Sequence, residues 1–387
     1  MTQNPVSTPG RRRNLKDKSR YNMKKQHHFR LLFCLLFLGG FWGGCLEKID
    51  LDIPRENQDN LSVQGRIVQG NPSVIEVGIK KIFDFTGIQS FVKVQNVTII
   101  DESGNELEIP QTSQGNYRLE IEPGNPDFEI KTGKSYKLRV LTFAGQLFES
   151  TYEPLLAVPK ATDAIAEHIQ EPFEAVPGEV EMVDKIRFSL TTPIVVPGDT
   201  EKARLLWEFE ETYKITDSPI EFGVESKTCY VTQDIGVTDV YLLNGNDLSG
   251  DMVTNFPVFK RNISSQFAQG YYLTIYQQSL SKDAWEYWFE VQQSLNRDGN
   301  MFEPPVGKIR SNMVNVNDPE EDVFGYFYTT TQDTIRVYVS PETAGNPVQL
   351  CPPNVPPPPG GGCPVFICCD CLDAEKSTTV KPEWWAF

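Results

Sequence analysis

From Leu61 to Pro159 the chain alternates apolar and polar residues with a period of two. Leu61-Ser-Val-Gln-Gly-Arg-Ile-Val, Val74-Ile-Glu-Val-Gly-Ile-Lys and Val92-Lys-Val-Gln-Asn-Val-Thr-Ile-Ile each place apolar side chains on one face of an extended segment. That is the signature of a half-buried strand. Asp101-Glu-Ser-Gly-Asn is a turn, and Leu107-Glu-Ile returns from it as a hairpin. Tyr117-Arg-Leu-Glu-Ile, Tyr136-Lys-Leu-Arg-Val-Leu and Leu147-Phe-Glu-Ser-Thr-Tyr continue the series. Short strands separated by turn clusters predict an immunoglobulin-like β-sandwich over 61–159, with Tyr136 as a core residue or a corner tyrosine.

Residues 160–182 have lower β-propensity and are expected to be a linker. A second β-rich domain is expected over 183–350. Lys185-Ile-Arg-Phe-Ser-Leu, Ala203-Arg-Leu-Leu-Trp-Glu-Phe-Glu-Glu-Thr-Tyr-Lys-Ile and Gly270-Tyr-Tyr-Leu-Thr-Ile-Tyr read as strands. Val323-Phe-Gly-Tyr-Phe-Tyr and Ile335-Arg-Val-Tyr-Val read as a β pair. The pattern changes to helical spacing over 282–297: Ser281 is an N-cap, Asp283 suits the first turn, and Ala284, Trp285, Trp288, Phe289 and Leu295 form a stripe closed by Gly299. Such a stripe suits core packing, with a sugar or other apolar ligand as the alternative. The fold class expected is mainly β: a sandwich, then a β-rich domain with one amphipathic helix and a Cys-rich C-terminal tail over 351–387.

The N-terminal pattern is of another kind. Lys24, Lys25, His27, His28 and Arg30 precede a 12-residue apolar run, Leu31–Trp42, and then Gly43-Gly44-Cys45. A basic head, an apolar run and small residues before a cut form a secretory signal, 1–44. The run is shorter than the roughly 20 residues that span a bilayer. Cleavage after Gly43 and Gly44 would leave Cys45 to carry lipid through a thioether. Acyl chains contribute about 0.8 kcal/mol per buried methylene. Trp42 stands where such lipoprotein signals usually have Leu or Val. Met23 begins a complete signal, so 1–22 is read as a misassigned start. Residues 45–60 form a charged tether whose Glu47, Asp50 and Asp52 resemble a signal that takes some lipoproteins to the cell surface, with a plain solvated tether and the periplasmic face as the alternative.

Charge narrows the partners. Removing the nine basic and one acidic residue of 1–44 from totals of 36 and 52 leaves 27 and 51, a net charge of −24. A surface so acidic repels phosphate backbones, which argues against nucleic acid. Six cysteines follow Cys45: Cys229, Cys351, Cys363, Cys368, Cys369 and Cys371. An even number in an exported chain predicts disulfides, with Cys229 stapling the tail to the second domain. Zinc is the competing reading, but the spacings Cys363-x4-Cys368 and Cys369-x-Cys371 lack C-x2-C knuckles. Pro352–Gly362 is a low-complexity stretch, read as an exposed loop between Cys351 and Cys363, with a polyproline ligand as the alternative.

Motifs of catalysis are not recognisable. His168 is the one histidine after residue 44, and no G-x-S-x-G, phosphate loop or dinucleotide fingerprint accompanies it. Asn244-Gly-Asn-Asp-Leu-Ser-Gly-Asp is similar to a calcium loop but carries Leu248 where an oxygen ligand belongs, so a turn is expected. Asn315-Val-Asn-Asp-Pro-Glu-Glu-Asp is an acidic loop suited to solvation, or to a cation. Neither a cofactor nor a metal site is predicted, and ligand-binding residues are not assignable.

Three blocks carry a resemblance. They are Cys45-Leu-Glu-Lys-Ile-Asp with Val63-Gln-Gly65; the helix through Phe302-Glu-Pro-Pro, Asn312 and Val323-Phe-Gly-Tyr-Phe327; and Cys368-Cys-Asp-Cys371 with Lys381-Pro-Glu-Trp384. Together they resemble the Bacteroidota lipoprotein family called domain of unknown function four-two-four-nine. The CCDC…KPxW ending is the most specific part. Leu372–Val380 lacks the glycines the family often shows there. The resemblance supplies no catalytic residues. It implies genes beside TonB-dependent outer-membrane receptors, and so an accessory role in uptake. The expected function is a non-enzymatic, lipid-anchored outer-membrane protein that captures ligand for a TonB-dependent β-barrel or closes it. A secreted polymer hydrolase and a structural adhesin are the alternatives.

Overall fold

The computed structural model describes residues 61–81, 91–176, 178–219, 225–235, 239–296, 309–352 and 365–387. The signal (Gly43, Gly44), Cys45, the tether, Gly299, Phe302-Glu-Pro-Pro, Cys363 and most of the Pro/Gly-rich stretch lie outside these residues.

Alternation in the first hundred described residues produces β1 (Leu61–Gln69), β2 (Ser73–Lys81), β3 (Val94–Asp101), β4 (Glu106–Glu108), β5 (Gln111–Ser113), β6 (Asn116–Ile121), β7 (Ser135–Thr142), β8 (Leu147–Ser150) and β9 (Glu153–Pro154). There follow β10 (Asp163–Val176), β11 (Glu179–Pro193), β12 (Arg204–Thr216), β13 (Thr228–Asp234), β14 (Tyr241–Asn244), β15 (Met252–Asn262) and β16 (Tyr271–Leu280). Helix α1 (Lys282–Leu295) precedes β17 (Met313–Asn315), β18 (Phe327–Val339) and β19 (Ser377–Thr378). The fold is mainly β.

These strands make three sheets. The largest has ten strands, in the order β19-β13-β12-β16-β18-β1-β2-β6-β5 with β14 beside β12. A six-stranded sheet, β17-β8-β7-β3-β4 with β9 beside β7, packs on one half of it. Leu61, Val63, Ile67, Ile75, Val77 and Ile79 there meet Val97, Ile99, Leu138, Val140 and Phe148. A three-stranded sheet, β10-β11-β15, packs on the other half, where Ile186, Phe188 and Phe259 meet Trp207, Phe209, Tyr271 and Leu273.

The two largest cores among the described residues therefore share one sheet. β18 joins them. Its first residues pair in parallel with β1 (Gly65↔Phe327 to Gln69↔Thr331), and its last pair antiparallel with β16 (Gln278↔Gln332 to Tyr271↔Val339). Phe327 accordingly belongs to the first core, and Val337 and Val339 to the second. All the described residues fall in one compact unit.

Two expectations need correction. Residues 163–176 are not a linker: they form β10, in register with β11 from Asp163↔Thr191 to Val176↔Glu179. Most of its side chains reach water, which lowers its apolar content and disguises it. The stretches at 323 and 335 are not a hairpin pair. From Phe327 onward they are one strand, because Thr329-Thr-Thr-Gln-Asp has β-branched residues and no turn-forming glycine or proline. β15 is hidden by Pro257, which sits where the pairing with β11 shifts register, as a residue without an N–H requires.

Local rules hold elsewhere. Ser281 caps α1 by accepting Ala284 N–H at 3.0 Å, and Asp283 lies in the first turn. The buried face of the helix is rotated from the expected stripe: Ala284 and Tyr287 are buried, whereas Phe289 and Leu295 are exposed. Tyr136 is buried, and its hydroxyl donates to Glu129 O at 2.8 Å while accepting Lys131 N–H at 2.8 Å. It thus packs in the core and also fixes the chain just upstream, as a corner tyrosine does. Burial pushes its hydroxyl pKa up to about 12.

Candidate functional site: an ion-paired cleft beside the helix

Residues of even number in β1 and β2 point away from the first core, so Arg66 and Glu76 stand on the outer face of the ten-stranded sheet. Register sets them side by side. Arg66 lies opposite Tyr328 of β18 on one side and Glu76 of β2 on the other, and Glu76 lies opposite Arg118 of β6. The result is a row of side chains running across four strands.

Arg66 is the centre of the row. Its Nε and Nη2 each lie 2.9 Å from Glu76 Oε2. Its Nη1 donates to Glu208 Oε1 at 2.8 Å and Oε2 at 2.9 Å, reaching β12 across two strands. Gln278 of β16 donates to the same Glu208 at 2.8 Å. Arg118 pairs with Glu76 and donates to Glu120 at 2.8 Å. Burial opposes the charge on Arg66, but Tyr328, Glu208 and Glu76 outweigh it and hold the guanidinium pKa above its ordinary value. Burial first, and then Glu208, push the Tyr328 hydroxyl well above its ordinary range.

This row floors a cleft of about 500 Å3. Tyr287 and Trp288 of α1, with Tyr326, form its aromatic wall, and Lys80, Thr112 and Asn116 stand at its other side. Gly78 leaves a depression in the floor: a Cβ there would come no closer than 3.9 Å to Asn116 and 4.0 Å to Gln64. Such a mixture of planar polar groups, aromatic faces and free depth suits recognition of a polar small molecule.

The wall is anchored from below. Glu153 of β9 is buried and accepts from Ser281 Oγ at 2.7 Å, Tyr326 OH at 2.6 Å and Asn312 Nδ2 at 3.3 Å. Asn312 also exchanges two hydrogen bonds with the backbone of Phe327, 2.7 and 2.9 Å. One carboxylate therefore ties the helix cap, the cleft tyrosine and the strand common to both cores. Burial is the largest influence on Glu153 and raises its pKa. Gly325 lets the neighbouring segment run hard against β1: its φ is +91°, and a Cβ would fall 2.1 Å from Val63 O.

The other sequence candidates lie elsewhere. Cys229 is joined to Cys371 and Cys351 to Cys368, while Cys369 is also disulfide-bonded. Asp217, Asp370 and Cys371 bring ligand-type atoms within 4.8 Å of one another, but the Cys371 sulfur is committed to its disulfide and Lys227 Nζ lies 2.8 Å from Asp370. In the loop at 244–251, the Lys202 ammonium donates to Leu248 O and Gly250 O at 2.7 and 2.6 Å, occupying the carbonyls a cation would use. Asn315 and Asn317 close the acidic loop on itself and on Leu147 N–H. His168 sits on β10, its Nε2 2.8 Å from Asp184.

A family model described as Domain of unknown function (DUF4249) matches residues 47–336. The chain belongs to this family. No curated protein matches the chain. The match takes in every cleft residue of this DUF4249 protein named above, along with α1 and Glu153, and ends within β18, before the Cys-rich tail.

The cleft itself was not legible beforehand. Arg66, Glu76, Arg118 and Glu208 each show as polar positions in alternating strands; the β1–β2–β6 pairing sets the first three together, but only the pairing of β1 with β18, from opposite ends of the chain, brings Glu208 to them. Tyr287 was masked by the more regular Trp285/Trp288/Phe289 spacing.

Proposed function

We propose that this DUF4249 protein is a non-enzymatic, lipid-anchored protein of a bacterial outer membrane that captures a polar ligand in the cleft and works beside a TonB-dependent transporter. The observation that carries the reading is the character of the cleft floor. Arg66, Glu76, Arg118 and Glu208 neutralise one another in a fixed row, so the site offers hydrogen bonds and shape rather than a poised acid, base or nucleophile. The secretory leader ending at Gly43-Gly44-Cys45, with a family match that begins two residues later, supports the anchored, exported state.

The test is co-purification from detergent-solubilised outer membranes of the full chain and its Cys45→Ser variant, with radiolabelled palmitate as tracer. The expected outcome is label on the wild type alone and a large β-barrel partner. Label retained by Cys45→Ser would remove the anchor. Turnover of members of a glycan or peptide panel by the purified protein, lost in Glu208→Gln, would replace capture with hydrolysis.

A further inference from the structure

β15 ends its pairing with β11 at Lys185, so the β10–β11 hairpin continues past the three-stranded sheet as a two-stranded ribbon, about residues 170–184. An isolated two-stranded ribbon gains little stability in water. This one nevertheless carries large apolar side chains in solvent: Phe173 is 54% exposed, Val176 53%, Val180 62% and Met182 56%. Cross-strand partners share a face. Met182 lies opposite Pro172 and Val180 opposite Glu174, while Phe173 lies opposite Glu181. Met182 and Val180 are therefore on one face and Phe173 on the other, so the ribbon is apolar on both sides.

Its charge has one sign. Glu171, Glu174, Glu179, Glu181 and Asp184 lie between 170 and 184, with no lysine or arginine. Glu171 is neutralised by Lys185 and Lys260 at the root, and Asp184 bonds His168 and Gln170. Glu174, Glu179 and Glu181 remain at the distal end, among the exposed apolar residues.

We propose that this ribbon is a docking element for another protein, whose receiving surface is an apolar groove rimmed by lysine or arginine. Apolar residues on both faces call for a groove rather than a flat surface. The three distal carboxylates call for basic residues at its rim, and they disfavour both an anionic lipid surface and a second copy of the same acidic ribbon. This inference is independent of what the cleft binds.

The test is site-specific photocross-linking of the full chain in its own cells, with p-benzoylphenylalanine at Phe173 and separately at Met182. Phe143, exposed in the turn after β7, is the control position. The expected result is one protein adduct from Phe173 and Met182 and none from Phe143, with lysine or arginine in the cross-linked peptide. Combining Glu174→Lys, Glu179→Lys and Glu181→Lys should lower the yield about tenfold without moving the melting temperature. Adducts only with lipid or with a second copy, a yield indifferent to charge reversal, or no adduct at either position would overturn the proposal.

Discussion

The outer face of the ten-stranded sheet is finished in two ways. At the β13–β12–β16 end the C-terminal residues lie across it. Trp385 is buried, edge-on to Tyr230 and Tyr272 with ring centroids 5.2 and 4.9 Å away, and Trp384 meets Tyr272 at 5.1 Å with Arg336 over its ring at 4.6 Å. Phe387 stacks on Tyr338 at 4.2 Å. At the β1–β2–β6 end nothing among the described residues covers the face, and the Arg66 row lies open beside α1. The covered end is aromatic and stapled, whereas the open end is ionic and concave. Stability should therefore depend on the first and recognition on the second.

The sharpest way to break this contrast is Trp385→Ala. Removing a buried tryptophan costs about 3–5 kcal/mol, read as a fall in the denaturation midpoint. A loss under about 1 kcal/mol, the size expected for a surface position, would mean that the C-terminal residues only rest on the sheet. Next in size is the Cys229–Cys371 bond, which spans 142 residues and holds the tail where β19 pairs with β13. Cys229→Ser with Cys371→Ser should cost about 2–4 kcal/mol, and adding reductant to the wild type should lower its midpoint at least as far. Non-reducing peptide mapping checks the linkage directly.

At the open end the expected effect is smaller. Arg66→Met leaves Glu76 and Glu208 without their shared partner, but all three side chains keep about a third of their surface in water. Pairs so exposed contribute about 1 kcal/mol or less. Adding Glu208→Gln should recover part of that loss, and combination with Trp385→Ala should be additive, since the two ends share no partners. A loss comparable to that of Trp385→Ala would show that the row supports the sheet rather than furnishing a site.

The same contrast explains what the sequence could reveal. Alternation makes β1, β2, β7 and β12 legible, because each has one face in a core, and the Ser281 cap makes α1 legible from local chemistry. β16 is buried on both faces, and the reason is not local. Tyr272 lies under the C-terminal tryptophans, and Gln278 under Glu208. The parallel β1–β18 pair joins residues more than 250 positions apart, and a period-two pattern carries no information about such a partner. Lys381-Pro-Glu-Trp384 could be recognised as a motif, whereas its role as part of a cover over Tyr272 depends on that sheet order.

The smallest effect concerns the link between helix and sheet. Ser281, Tyr326 and Asn312 donate to Glu153 and favour its ionised form, but burial acts in the opposite sense and dominates, with help from Asp283. Its folded pKa therefore lies above the ordinary 4.5 of an unfolded glutamate. Between those two values the folded protein keeps a proton that the unfolded chain has released. Stability from this group is full below about pH 4.5, falls as pH rises through the folded pKa, and is level above it, with a slope no steeper than about 1.4 kcal/mol per pH unit. Glu210, raised mainly by burial, acts in the same sense, whereas Asp101 and Glu149 have lowered pKa values and act in the opposite one. The wild-type profile alone therefore cannot isolate Glu153. The informative quantity is the difference in unfolding free energy between wild type and Glu153→Gln, measured by denaturant titration from pH 4 to 8. That difference should shrink as pH rises. If it grew instead, the three donors would outweigh burial, and Glu153 would be an anion clamping the helix cap rather than a buried carboxyl group that holds its proton.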